Sequence, residues 1–332
     1  MPNSQTTSHW DERLSQLIDV RHVTGCEFKS LSETHWTPAF GRSVFGGTLI
    51  AQSMEAAYKT IDERMELHEF HGKFLRGADA QQHIYYYVEK VRDGRSYSTR
   101  RVDAMQESTL LFMATMSFQV PEPEQPQYFA SPPKIVSEGA FELAREMPDD
   151  HKNAPTEVLP PEMSRPGSQR YQHALTHSVD SSHYQKLISQ WTNEQEIFLP
   201  VEFRPAVPNM FRKDGRVQFG SKLAYWLRAR GASPGPANRQ RAILGFHVDQ
   251  FILENIRASV KESSVAMMAS LDHTMWFYND FTMGQWLLMV AENQATSNGR
   301  AVVLARIYRR DGVLVAVAMQ EGVMRYEVPS KL

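Results

Sequence analysis

The sequence contains the same unit twice, and this duplication constrains the fold more than any other feature. Gly46-Gly47 opens an apolar stretch that recurs about 199 positions later at Gly245-Phe246. Two further pairs follow a similar spacing: His71 to Leu75 with His273 to Phe277, and Gly94-Arg95 with Gly299-Arg300. Loop insertions explain the small drift in spacing. Two copies of a unit of roughly a hundred residues indicate a duplicated domain whose copies pack together.

Each copy begins with a helical pattern and continues as a series of strands. The spacing predicts helices over Phe45–Tyr58 and Phe246–Ala258, because apolar residues recur on one face. Alternation and β-branched residues predict the strands His83–Val91, Ser96–Met105, Thr109–Val120, Val265–Tyr278, Val302–Arg309 and Val313–Met324. Asp93-Gly94 and Asp311-Gly312 are typical of tight turns between such strands. One long helix followed by an antiparallel meander predicts an α+β unit in which the sheet wraps the helix.

The proline distribution separates the two copies. Ten of the eighteen prolines lie between Pro121 and Pro166. We therefore predict an N-terminal domain over residues 1–120, a proline-rich and partly ordered linker over 121–196, and a C-terminal domain over 197–332.

Composition narrows the class of protein. A chain of 332 residues that is 42% hydrophobic is long enough for two domain cores. A net charge of -2 gives no general attraction to nucleic acid, and the apolar runs are too short to predict a membrane span. Cys26, the single cysteine, excludes an intramolecular disulfide. No metal and no cofactor is predicted.

Asp249 is the first candidate for chemistry. It lies in line with Ile252, Leu253 and Ile256 on the helix stripe that should face the sheet. Burying an unpaired carboxylate is strongly unfavourable, so Asp249 must meet hydrogen-bond donors or serve a site. The matching position in the first copy is Ile50, an ordinary core residue.

Two strands of the second copy carry the other candidates. Alternation along Ser270-Leu271-Asp272-His273 predicts that Ser270 and Asp272 share one face of the sheet and that His273 points to the other. His273 is interpreted as a structural histidine of the repeat, with His71 as its counterpart, and a catalytic base is the alternative. Gln320 stands among apolar residues of the last strand, and its predicted counterpart is Ser117.

At these residues the chain resembles the acyl-CoA thioesterase II family. The matching segments extend over almost the whole chain: Val44 to Gly47, Phe74 to Arg76, Arg92 to Ser96, Leu271 to Phe277, Trp286 to Leu288, and Asp311 to Gly322. The resemblance implies a double hot-dog fold and hydrolysis of acyl-CoA. It also implies that the catalytic set is Asp249, Ser270 and Gln320. The chain departs from the family pattern at Ala301, Ala305 and Met289, which predicts a different shape for the acyl tunnel and leaves the three catalytic positions intact.

Thioester hydrolysis needs an aimed water, a general base and donors for the developing oxyanion. We expect Asp249 to act as the base with help from Ser270 and Gln320, and backbone N–H groups near Gly46-Gly47 or their second-copy equivalents to meet the oxyanion. Four arginines around a Gly/Pro loop are candidates for binding the CoA phosphates, with a solvated basic loop as the equal alternative: Arg228, Arg230, Arg239 and Arg241.

Two other functions remain open from the sequence alone. An enoyl-CoA hydratase would normally require an Asp and a His in the same site. His247 lies near Asp249 in sequence but on a different helix face. A non-catalytic protein that binds acyl-CoA would leave the three polar residues without a purpose.

The final tripeptide, Ser330-Lys331-Leu332, matches a peroxisomal address. It predicts import into the peroxisomal matrix through an import receptor. The expected partners are therefore acyl-CoA and that receptor, and a homo-oligomer is possible because fused units make further assembly optional.

Overall fold

A computed structural model describes residues 4–38, 43–136, 157–164, 199–206, 222–231, 235–258 and 265–326. The helices within these ranges are α1 (Ser4–Ile18), α2 (Gly46–Tyr58) and α3 (Ala237–Ala258). The strands of the first half are β1 (Val20–Thr24), β2 (Glu27–Ser30), β3 (Glu66–Phe74), β4 (Tyr85–Asp93), β5 (Tyr97–Gln106) and β6 (Thr109–Gln119). The connecting segment adds β7 (Lys134–Ile135) and β8 (Glu157–Val158), and the second half adds β9 (Val201–Pro205), β10 (Lys222–Ala229), β11 (Val265–Phe277), β12 (Leu287–Ser297), β13 (Arg300–Arg309) and β14 (Leu314–Tyr326).

One antiparallel sheet joins the two halves. Its strand order is β1-β2-β4-β5-β6-β3-β11-β14-β13-β12-β10-β9, so β3 of the first half pairs directly with β11 of the second. Helix α2 packs against α3, and each helix also packs against strands of its own half. The main core therefore lies between the paired helices and the sheet. No helix in the described ranges combines the length and apolar character that crossing a bilayer requires.

Most predicted elements are confirmed, with one large difference at α3. The predicted helix begins at Phe246, whereas α3 begins at Ala237. Its first turns escaped the hydrophobic pattern because polar side chains are buried there. Asn238 bonds to the backbone of Leu67 and Met65 at 2.7 and 2.9 Å, and the guanidinium of Arg241 lies 2.5 Å from Glu66 Oε2. These bonds fasten the start of α3 to β3 of the other half.

The described part of the connecting segment lies against the second half of the sheet. Val158 and Phe129 pack with Trp226 in a second apolar cluster, and the Trp226 indole N–H donates to the Leu159 carbonyl at 2.7 Å. Residues 137–156 and 165–198 lie outside the described ranges, and so does the terminal tripeptide. The domain boundaries at residues 120 and 196 stay a prediction.

Candidate functional site

Asp249 lies in the middle of α3 with its carboxylate buried at the junction of the two halves. Its side chain is 3% exposed. It accepts hydrogen bonds from the side chains of Gln320 and Ser270 and from the backbone N–H of Gly47. Burial raises the pKa of Asp249 to about 6, and these three hydrogen bonds act in the opposite direction by favouring the ionised form. A carboxyl group poised near neutral pH is suited to accept a proton.

The structure brings the three predicted side chains together. Gln320 Nε2 lies 2.9 Å from Asp249 Oδ1 and 2.7 Å from Ser270 Oγ. The Gln320 amide donates both bonds, and the Ser270 hydroxyl in turn donates to the carboxylate. The three groups, which come from α3, β11 and β14, therefore form a closed hydrogen-bonded set. This arrangement restricts the orientation of the carboxylate.

A bulge in β11 sets the direction of Ser270, and it makes the expectation from simple alternation wrong. Ser270 pairs with Gly322 and Asp272 pairs with Glu321, so Leu271 is an extra residue in the strand. Such a bulge changes which residues share a face. Ser270 and His273 therefore both reach Gln320, whereas Asp272 forms an ion pair with Lys73 at 2.8 Å.

His273 is the site neighbour that the sequence reasoning missed. Its ring is fully buried, and Nδ1 lies 2.9 Å from Gln320 Oε1 and 3.9 Å from Asp249 Oδ1. Burial lowers the pKa of His273 to about 4, so the ring is neutral near neutral pH. It joins Asp249, Ser270 and Gln320 through its hydrogen bond to Gln320.

The start of α2 closes the site from the first half of the chain. The residue before this helix, Phe45, provides no side-chain hydrogen bond to the helix end. Asp249 fills that role from the other half by accepting from Gly47. A Cβ added to Gly46 would lie 2.7 Å from Asp249 Oδ2, so the absence of a side chain there permits the close approach. The positive end of the α2 dipole also favours a negative charge at this point.

The first copy has a matching bulge, and it changes which residues of the two copies correspond. In β3, Leu67 pairs with Phe118 and Glu69 pairs with Ser117, so His68 is the extra residue. Matching this bulge to the one at Leu271 shifts two of the predicted counterparts by one position. His273 corresponds to Phe70, not to His71, and Gln320 corresponds to Met116, not to Ser117.

With this correspondence, the four polar residues of the second copy have no polar counterparts in the first copy. The counterparts of Asp249, Ser270, His273 and Gln320 are Ile50, Leu67, Phe70 and Met116. All four are apolar, and each is at most 1% exposed. The packing is repeated as well, because a Cβ added to Gly245 would meet Ile50, just as one added to Gly46 would meet Asp249. The place in the first copy that corresponds to the site is therefore ordinary hydrophobic core.

Three of the four arginines considered for phosphate binding are ion-paired to carboxylates. Arg228 bonds to Glu202 at 2.5 Å, Arg239 bonds to Asp19, and Arg241 bonds to Glu66. Arg230 donates to the Val201 carbonyl at 3.0 Å. Both the phosphate site and the solvated loop stay predictions for these partnered side chains.

His247 does not complete a site with Asp249. It is fully buried, and its Nδ1 bonds to the Ile243 carbonyl at 2.7 Å within α3. Burial lowers the pKa of His247 to about 4. Within the described ranges, no three His, Cys, Asp or Glu side chains come together in a way that could hold a metal ion.

Two family models cover most of the chain. The model of the acyl-CoA thioesterase N-terminal domain matches residues 34–119, and that of the acyl-CoA thioesterase C-terminal domain matches residues 166–324. The chain belongs to the acyl-CoA thioesterase family. It is therefore a thioester hydrolase, and the predicted resemblance is confirmed.

Individual members of the acyl-CoA thioesterase family match over most of their length. Human acyl-coenzyme A thioesterase 8 is 30% identical over 293 residues, which are 88% of this chain and 82% of the relative. Acyl-CoA thioesterase 2 from Haemophilus influenzae is 27% identical, over 86% of this chain and 88% of the relative. Peroxisomal acyl-coenzyme A thioester hydrolase 1 from Saccharomyces cerevisiae is 24% identical, over 87% and 88%.

Solved structures confirm the double hot-dog architecture of this thioesterase. The acyl-CoA thioesterase II TesB2 from Mycobacterium marinum has a TM-score of 0.66 at 24% identity and covers 96% of this chain and 98% of its own. A hot-dog protein from Alicyclobacillus acidocaldarius has a TM-score of 0.65 at 19% identity, with 95% and 98% covered.

Proposed function

We propose that this thioesterase hydrolyses acyl-CoA to a free acid and CoA with a water activated by Asp249, Ser270 and Gln320. The observation that carries the proposal is the closed hydrogen-bonded set around a buried carboxylate, which the second copy has and the first copy lacks. Membership of the acyl-CoA thioesterase family and the names of the matched relatives support acyl-CoA as the substrate.

In the proposed mechanism, Asp249 accepts a proton from water as the water attacks the thioester carbonyl. Gln320 holds the carboxylate and the Ser270 hydroxyl with its two N–H donors, and Ser270 binds the water through the remaining lone pair of its hydroxyl oxygen. The start of α2 offers backbone N–H groups and a positive dipole end to the developing oxyanion. The C–S bond then breaks, CoA leaves as a thiol with the proton that Asp249 accepted, and the acyl group leaves as a carboxylic acid. No covalent enzyme intermediate is required.

A thiol-release assay tests the proposed activity. We expect the purified protein, given saturated acyl-CoA substrates of several chain lengths, to release one free thiol for each thioester consumed. A hydratase would instead add water to an enoyl-CoA without releasing thiol, and a binding protein would retain acyl-CoA unchanged. Absence of thiol release at every chain length would contradict the proposal.

The pH dependence of the reaction follows from the buried carboxylate. A general base must be ionised, and the pKa of Asp249 is raised to about 6 by burial. We therefore expect kcat/KM to be constant well above pH 6 and to fall about tenfold per pH unit well below it. The profile of thiol release at subsaturating acyl-CoA measures this. His273 does not add a second limb in that range because its own pKa is lowered to about 4. A profile that stays flat down to pH 4.5 would exclude Asp249 as the base.

For the location of the enzyme we propose the peroxisomal matrix. The name of the yeast relative supports this proposal, and the sequence predicts the address Ser330-Lys331-Leu332. Imaging of the chain tagged at its amino terminus, with and without the three terminal residues, tests it. The import receptor and the homo-oligomer stay predictions.

A further inference from the structure

His273 is a polar residue at a position where the first copy has an aromatic core residue. Its counterpart Phe70 is fully buried and stacks with Phe112, which is ordinary core packing. His273 is equally buried, yet its ring carries two polar nitrogen atoms into the core. Burying such atoms is unfavourable unless they have partners. The replacement accompanies the other three polar residues of the second copy, so a purely structural role does not explain it.

The hydrogen bond of His273 defines its tautomer. The Asp249 carboxylate only accepts hydrogen bonds, so the NH2 end of the Gln320 amide faces it and Oε1, which also only accepts, faces His273 Nδ1 at 2.9 Å. The proton of the neutral ring is therefore on Nδ1. Nε2 has no hydrogen-bond partner among the described residues. The ring thus makes one directed bond, and that bond ends on Gln320.

This bond holds the acceptor end of the Gln320 amide away from the carboxylate. A carboxamide has a donor end and an acceptor end, and a flip exchanges them. With Oε1 held by the His273 N–H, the NH2 end lies against Asp249 Oδ1 and Ser270 Oγ. The flipped amide would place its oxygen against the carboxylate, which is repulsive. Its NH2 group would face Nδ1, which could accept only if the ring proton moved to Nε2, where it would be buried without a partner among the described residues.

We propose that His273 is a positioning residue of the hydrolysis, which holds the Gln320 amide in the orientation that supports Asp249. The inference rests on the proposed function. His273 itself neither transfers a proton nor contacts the reacting atoms. Its effect is to keep the donor end of Gln320 on the carboxylate during the reaction.

A matched pair of variants separates positioning from packing. Asparagine at position 273 can place an amide N–H close to the place of Nδ1, whereas leucine has nearly the same size and no donor. We expect His273→Leu to lower kcat roughly 10- to 100-fold, the range expected when a catalytic group loses its alignment, with little change in KM. His273→Asn should retain most of the activity. Both are measured by thiol release, next to their thermal unfolding temperatures.

The pH profile provides a readout that a packing role would not change. The groups that bond to Asp249 are the Gln320 amide, the Ser270 hydroxyl and the Gly47 N–H, and His273 lies 3.9 Å away. The Gln320 bond lowers the pKa of Asp249, so disorder of the amide raises that pKa. We expect the acid limb of His273→Leu to move to higher pH and that of His273→Asn to stay in place.

Two results would overturn this inference: unchanged kcat and pH profile in His273→Leu, or equal losses in the leucine and asparagine variants when both are folded. If His273→Leu does not fold, His273→Phe replaces it, because phenylalanine is the residue of the first copy at this position. Loss of activity in Asp249→Asn together with normal activity in the His273 variants would refute the positioning role of His273 and leave the proposed function standing. Normal activity in Asp249→Asn refutes the proposed function itself.

Discussion

Asp249→Asn should lower thiol release from acyl-CoA by at least about 10²-fold, because removing a general base typically costs about 10²- to 10⁴-fold in rate. Asparagine is nearly the same size as aspartate and keeps an oxygen for the donors of Gln320 and Gly47, but it does not accept the proton of the attacking water. The acid limb of the pH profile should disappear from the remaining activity. Steady-state kinetics on the purified variant measure both effects.

Asp272→Asn is the matched control. Asp272 lies two residues from Ser270 in β11, but its carboxylate pairs with Lys73 on the outside of the set and accepts from the Glu321 N–H. It should keep nearly normal activity. A lower rate of thiol release in Asp249→Asn supports the assignment only if the variant unfolds at a temperature close to that of the unchanged protein. Near-normal turnover by a folded Asp249→Asn protein would refute the assignment of the base.

The burial of the Asp249 carboxylate can be predicted from the sequence because the helix period is regular. A carboxylate on the stripe of Ile252 and Ile256 has to be buried wherever the rest of the fold lies. Ser270 and Gln320 were identified from the family resemblance, and the structure brings them to the same carboxylate. Their distances could not be predicted, because they depend on how two strands and a helix from distant parts of the chain pack.

His273 shows where strand periodicity fails. The alternation rule assigns faces correctly only while the strand is regular, and one extra residue reverses the assignment beyond it. The bulge at Leu271 has no glycine or proline to mark it in the sequence. The repeat itself held a signal, because aligning His273 with Phe70 would have indicated a polar group placed in a core position. That alignment requires the matching bulge at His68, which only the pairing of β3 with β6 reveals.

The role of α2 could also not be read from the sequence. Gly46-Gly47 was considered for the oxyanion, with the second-copy equivalents as the alternative. In the structure Gly47 donates to Asp249 and Gly46 lies against its carboxylate, whereas Gly245, the counterpart of Gly46, faces Ile50. Which N–H groups meet the oxyanion stays a prediction. The proposed site is therefore made from both halves. This explains in physical terms why duplication matters: the first copy has a plain core, yet it supplies the helix end on which the carboxylate of the second copy depends.

Gly46→Ala should lower kcat by about 10²-fold without unfolding the protein. The added Cβ would lie 2.7 Å from Asp249 Oδ2 and 2.9 Å from a ring carbon of Phe74, so the carboxylate has to move. Misplacing a catalytic group by about 1 Å can cost about 10²-fold in rate. The helix itself should tolerate the change, because alanine is the better helix former by about 1 kcal/mol.

Gly245→Ala is the control that the repeat provides. Its Cβ would meet Ile50 Cγ2 at 3.0 Å and the end of the Met54 side chain at 3.2 Å, which are apolar groups and not the carboxylate of Asp249. We expect turnover close to that of the unchanged protein. The two glycines occupy matching places on α2 and α3, so the variants differ chiefly in whether the displaced side chain is a carboxylate or an isoleucine. Equal losses of kcat in both variants would indicate a general effect on helix packing and would contradict the dependence of the reaction on the position of Asp249.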